Sequence, residues 1–197
     1  MKKIFFAILS CLPLMFVGCT LQREANHPQI APLPLSAEQL EILHLIAHNQ
    51  QEILLFEHTL NDYVNEIEIW VEVYHYGEFQ KLPAGLTVMG NGKPLEDGRI
   101  AIIISQLARN EFVWSISMYG SHSISGPWTP ADDFLASARG TIQEAHTIKL
   151  GQEIILHVLK FTNAGLLRAG GDLQVYLYEP GLFARYTYVH FIKARFR

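Results

Sequence analysis

Three groups of side chains in this sequence have types and spacing that chemistry can use. Ser121-His122-Ser123, followed by Asp132 and Asp133, supplies the residue types of a nucleophilic triad. In a triad a histidine takes the serine proton and a carboxylate orients the ring, and geometry defines it rather than order in the chain. A polar loop holding serine and histidine has the same composition. Glu66, Glu68 and Glu72 alternate with Ile67, Ile69, Val71 and Val73, so they share a strand face with Trp70 and Tyr74, with Tyr76 next in phase. Carboxylates beside aromatic rings are the parts of a sugar site, where rings stack on rings and carboxylates accept from hydroxyls. Plain alternation on a solvated outer face, or one covered by a helix, yields the same row. A glycosidase needs two carboxyls at a defined separation across the bond, and one strand cannot supply both. His44 and His48 lie four apart, a zinc-binding spacing on a helix, but Leu45-Ile46-Ala47 between them lacks the glutamate of a zinc protease.

Other signatures are missing. There is no Gly-rich phosphate loop, no G-x-S-x-G elbow, no H-E-x-x-H and no EF-hand loop in the sequence. The nine histidines are scattered. His75 is in phase with the apolar face of its strand and reads as a rim or core residue; His157 and His190 fall in other predicted strands. Trp128, in Gly126-Pro127-Trp128, is either a further aromatic contact or a plug for the end of the fold. No residue set assigns catalysis, and neither a metal nor a cofactor is expected. The loop site to examine is His122, Trp128 and Asp132; the ligand face to examine is Glu68, Trp70, Glu72, Tyr74 and Tyr76.

The elements that must position these residues are mostly strands. Ser36 predicts an N-cap with Gln39 closing a capping box, and Leu40, Leu43, Ile46 and Ala47 recur at helical spacing over about 37–49. From Glu52 the period changes to two. Ile67–Tyr74 and Phe112–Tyr119 alternate apolar with polar, the mark of a strand with one wet face. Arg99–Ser105, Ile154–Thr162, Leu173–Tyr178 and Arg185–Phe196 complete the strand set, with weaker candidates at Ile53–Leu60, Leu86–Met89 and Thr141–Ile148. Asn91-Gly92, Asp97-Gly98, Gly170-Gly171 and Pro180-Gly181 supply turns between them. Gly120–Gly140 is the longest irregular piece, with Thr129-Pro130-Ala131-Asp132 placed to start a short helix. Many short strands after a single helix predict a mainly β fold. The expected form is an antiparallel β-sandwich, immunoglobulin-like in architecture, and not a parallel α/β sheet.

The start of the chain predicts an address. Lys2 and Lys3 precede an apolar run, Ile4–Phe16, too short to span a bilayer comfortably but right for a signal peptide. The run leads into Val17-Gly18-Cys19, which reads as a bacterial lipobox with Cys19 as the lipidated residue. Phe16 stands where leucine is usual. The expected organisation is a signal peptide at 1–18, a lipidated cysteine and Pro-rich tether at 19–35, and one ectodomain at 36–197. Pro28, Pro32 and Pro34 make the tether an extended spacer. Cleavage removes Lys2, Lys3 and Cys11 but no acidic residue, so the net charge moves from −4 to −6. With Cys19 acylated, no cysteine remains for a thiol nucleophile, a disulfide or a thiolate metal site. The acidic balance argues against nucleic acid as a partner.

These pieces together resemble the uncharacterised small lipoproteins of Gram-positive bacteria. The resemblance rests on the lipobox, Leu35-Ser36-Ala37-Glu38-Gln39-Leu40, and Ile67-Glu68-Ile69-Trp70-Val71-Glu72-Val73-Tyr74 with Gly77. Gly98-Arg99-Ile100-Ala101 and Leu150-Gly151-Gln152-Glu153-Ile154 extend it. It implies a lipid-anchored protein of the cell envelope with a β-rich body, and it brings no catalytic residues. The expected role is a non-catalytic binding or structural module facing outward from the cell membrane. Its partner would be an envelope protein or a small molecule. A carbohydrate-binding module on the aromatic strand face and a cell-envelope hydrolase are the alternatives.

Overall fold

Alternation is the local cause of this fold, and it is clearest in β3 (Glu66–His75). Ile67, Ile69, Val71 and Val73 are fully buried, while the residues between them are half-exposed. In a computed structural model, the described residues are 27–47, 51–61, 63–108, 111–164, 167 and 171–197. The predicted signal peptide, Cys19, the first part of the tether, His48 and Gly170 lie outside them. The described residues form two antiparallel sheets packed face to face, a β-sandwich.

Sheet A runs β7-β6-β5-β2-β1-β9 and sheet B runs β4-β3-β11-β10-β8. In chain order the strands of sheet A are β1 (Gln29–Pro32), β2 (Gln51–Thr59), β5 (Gly98–Ala108), β6 (Glu111–Met118), β7 (Ser121–Ile124) and β9 (His146–Thr147). Sheet B holds β3, β4 (Glu78–Met89), β8 (Ala136–Thr141), β10 (Glu153–Thr162) and β11 (Tyr188–Phe196). The predicted helix is α1, Ala37–Ile46, and the capping box forms as expected between Ser36 and Gln39. It ends earlier than 49, because Ala47 already has extended backbone (ψ 115°). Leu40, Ile42 and Leu45 on it are exposed.

Four expectations are corrected. First, the tether does not run to Leu35: Gln29–Pro32 is a strand of sheet A, paired with β2 on one side and β9 on the other. Ile30 is fully buried there. Pro32 is tolerated because β9 pairs only Gln29 and Ile30, so no neighbour needs its missing N–H. The folded body therefore begins before residue 36. Second, Leu173–Tyr178 is not a strand. The Asp172 carboxylate accepts from the Gln174 N–H and starts a turn that leads into α2 (Val175–Tyr178). The Gln174 side chain accepts from the Ile155 N–H at 2.9 Å and donates to the Ile155 carbonyl at 2.8 Å, taking the place of a strand partner beside the bulge in β10. Third, Thr129–Asp132 forms no helix; the N–H groups of Ala131 and Asp132 both donate to the Tyr188 hydroxyl. Fourth, Tyr76 is not on the β3 face. Tyr76 and Gly77 both have positive φ (47° and 85°) and make the two-residue turn between His75 and Glu78.

The segment from Leu173 to Thr187 lies on the outer face of sheet B, with Tyr176 and Phe183 against Phe191. This cover explains why β10 and β11 are buried on nearly every residue and read as continuous apolar runs.

Candidate functional site

The outer face of sheet B holds the predicted ligand face. Register places Glu68 opposite Arg195 and Trp70 opposite Lys193 across β3 and β11, and Glu153 opposite Arg195 across β10 and β11. The result is a charge ladder. Glu72 meets Lys193 at 2.7 Å, Lys193 meets Glu153 at 3.0 Å, and Glu153 also pairs with Arg195. Arg195 reaches Glu68 at 3.4 Å, and Arg197 holds Glu68 at 3.0 Å and Glu66 at 2.7 Å. Both oxygens of Glu72 accept from aromatic donors, the Trp70 indole N–H and the Tyr74 hydroxyl, each at 2.8 Å. Burial alone would raise the Glu153 carboxyl, but hydrogen bonds and charge from Lys193 and Arg195 outweigh it and hold the group below the usual carboxylate range. Burial and then the Glu72 carboxylate push the Tyr74 phenol up.

The three rings do not form one platform. The Arg195 guanidinium sits over the Trp70 ring at 5.0 Å. Tyr74 packs edge-on among Phe79, Phe183 and Phe191. Tyr76, 52% exposed, stands on its turn. What the face does have is a groove of about 370 Å³ between the ladder and β4, walled by Trp70, Phe79, Leu82 and Leu86.

The loop site divides in two: His122 stands apart on β7, while Asp132 and Trp128 both meet Tyr188. His122 is exposed on β7, opposite Ser117. Asp132 pairs with His75 Nε2 at 2.8 Å, and His75 stacks on Tyr188 at 4.6 Å. Trp128 is 5% exposed and bridges Phe112 through two backbone hydrogen bonds, so it plugs the core. The His75–Asp132 pair spans 57 residues, and no local pattern announces it.

Three histidines are buried in the interior. His190 is ringed by Trp128, Phe161, Trp114 and Phe112 at 4.4, 4.9, 5.3 and 5.9 Å. Neither of its ring nitrogens has a hydrogen-bond partner among the described residues. Burial, then the charges of His157 and Lys81, push it down to about 3. His157 is pushed down to about 3 by burial and then Arg139, and its Nδ1 lies 2.8 Å from the Thr141 hydroxyl. His58 is pushed down to about 4 by burial, against an opposing pull from Asp97. Among the described residues no three histidine, cysteine or carboxylate side chains gather as a metal site, and no helix is long and apolar enough to cross a membrane.

Compared with family models, curated proteins and solved structures, the chain matches none.

Proposed function

We propose that this chain is a membrane-anchored extracytoplasmic lipoprotein whose β-sandwich is a non-catalytic binding module of the cell envelope. The observation that carries the address is the order Lys2-Lys3, the apolar run Ile4–Phe16, and Val17-Gly18-Cys19. Two or three acyl chains on Cys19 would hold the protein stably, at about 0.8 kcal/mol per buried CH₂. The strand at Gln29–Pro32, with the Pro28 carbonyl accepting from the Ile148 N–H, brings the folded body to within ten residues of Cys19 in the sequence. The charge of −6 keeps an acidic body away from anionic headgroups.

Support for binding over catalysis comes from the side chains. Asp132 is engaged by His75, so this carboxylate of the triad's residue types is already taken by another histidine. The grooved face around Trp70 is concave and part apolar, as binding sites are. A sugar platform is less well supported, because Trp70, Tyr74 and Tyr76 face three different surroundings. The experiment is metabolic labelling with a radioactive fatty acid in a Gram-positive host. The native chain is expected to take up label and stay with the membrane, and Cys19→Ala to lose the label and be released or remain unprocessed. Equal labelling of the two would overturn the proposal.

A further inference from the structure

At the end of the sandwich where β2 begins, the space between the two sheets opens as a cleft of about 110 Å³. Its floor is apolar: Phe112 and Ile104 from sheet A, Leu159 and Phe161 from sheet B, with Phe134 at the side. Phe161 lies 4.5 Å from Phe134 and 5.3 Å from Phe112, tilted to each, so it links the three rings that line the cleft. The mouth carries charge that points inward. Glu52 continues the inward series Leu54, Phe56 and His58 on β2. Arg139 lies opposite Leu159 on the edge strand β8.

Glu52 is poorly served for a buried carboxylate. Its side chain is 18% exposed, and the cation it meets, Arg139 at 3.0 Å, is 67% exposed. Behind it His157, fully buried, holds Nε2 3.8 Å from Glu52 Oε2, beyond hydrogen-bond range, and that nitrogen has no hydrogen-bond partner among the described residues. Burial raises the Glu52 carboxyl more than Arg139 lowers it. Aromatic rings offer their negative faces to a cation, and a desolvated carboxylate beside them adds a full counter-charge. An engineered apolar cavity of about 150 Å³ takes benzene, so this cleft suits a group of about five heavy atoms.

We propose that the inter-sheet cleft bounded by Glu52, Phe112, Phe134, Arg139 and Phe161 is a binding site for a small organic ammonium head, with Glu52 as its counter-ion and the Arg139 guanidinium as the group it displaces. The site is separate from the Trp70 groove and does not depend on the lipid anchor, so an unlabelled Cys19 would leave it standing.

The test is calorimetric titration of the full chain in non-ionic detergent with three molecules of similar shape: tetramethylammonium, tert-butanol and trimethylacetate. The expected result is tetramethylammonium binding roughly tenfold tighter than tert-butanol, with no binding of trimethylacetate. Glu52→Gln should erase the preference for the cation. Arg139→Gln should strengthen tetramethylammonium binding several-fold, because it removes a competitor. This exposed position keeps the proposal falsifiable if Glu52→Gln fails to fold. Binding of none of the three would overturn the proposal and leave the inward charges as protection of the β8 edge. A preference for trimethylacetate, a preference that survives Glu52→Gln, or Arg139→Gln binding no tighter than wild type would overturn it equally.

Discussion

The outer face of sheet B and the interior between the sheets handle polar groups differently: on the outer face Arg195 Nε has no hydrogen-bond partner among the described residues, and in the interior several groups have none. On the outer face each of Glu66, Glu68, Glu72 and Glu153 has a cation partner, and the donors of Trp70 and Tyr74 are spent on Glu72. Between the sheets, both nitrogens of His190 and Nε2 of His157 on sheet B, and the Trp114 indole N–H on sheet A, have no hydrogen-bond partner among the described residues. The outer face looks richer in chemistry, yet a polar ligand there must break pairs that already exist. The inner cleft looks poorer, yet a cation there would replace the largely exposed Arg139 as the partner of Glu52. Satisfaction of polar groups, more than their type, marks where binding gains free energy.

Acid should separate the outer face from the interior most strongly. His58, His157 and His190 are depressed in the fold, to about 4, 3 and 3, against 6.5 when unfolded. Below pH 6.5 the unfolded chain therefore binds more protons. The stability these residues contribute is full above that pH and is lost as pH falls toward their folded values. Each gives a slope of about 1.4 kcal/mol per pH unit, about 4 for the three together. The ladder responds later, because Glu153 lies below its ordinary 4.5 and its contribution is lost only as pH falls through the folded value. Urea unfolding at pH 7.5, 6.5 and 5.5 is expected to show the loss, and His190→Phe to reduce the slope by about one third. A flat profile across that range would refute the neutral interior.

The next effect in size tests the ladder. Lys193 is 7% exposed between Glu72 and Glu153. Lys193→Met leaves two carboxylates facing each other and should cost about 3 kcal/mol by urea unfolding at neutral pH. Gly77 tests the turn that ends the outer face: it has φ +85°, and an added Cβ would sit 2.8 Å from the Ala184 Cβ. Gly77→Ala should cost about 2 kcal/mol and lower the melting temperature. Arg197, 46% exposed at the rim, should matter least; Arg197→Ala is expected to cost less than about 1 kcal/mol. An Arg197 effect as large as that of Lys193 would show that the ladder acts as one unit rather than as a buried centre with a loose end.

Much of this fold can be read from local sequence, and the exceptions have physical causes. β3 and β6 alternate because each presents one face to the core, and the capping box at Ser36 is complete within four residues. β1 is disguised by Pro28, Pro32 and Pro34, which resemble a spacer until β9 is seen to pair only Gln29 and Ile30, leaving no neighbour that needs the N–H Pro32 lacks. Leu173, Val175 and Leu177 alternate like a strand, but Gln174 acts on Ile155 through its side chain, which hydropathy does not register. Tyr76 continues the alternation of β3 by type, while the positive φ it shares with Gly77 removes it from the face. The row Glu68, Trp70, Glu72 is legible as a face; its partners on β10 and β11 are not, because pairing across 127 residues leaves no periodic trace. The cleft is less legible still, since Glu52 and Arg139 meet only when β2 and β8 close one end of the sandwich.

The most direct measurement is a proton–nitrogen correlation spectrum of the labelled chain, followed as tetramethylammonium is added. The backbone amides of Glu52, Ser137 and Arg139 line the cleft, and the Trp70 indole N–H reports the outer face. The prediction is saturable shifts at the three amides and none at the indole. Shifts at the indole with silent amides would place the ammonium on the outer face and contradict the assignment of the cleft.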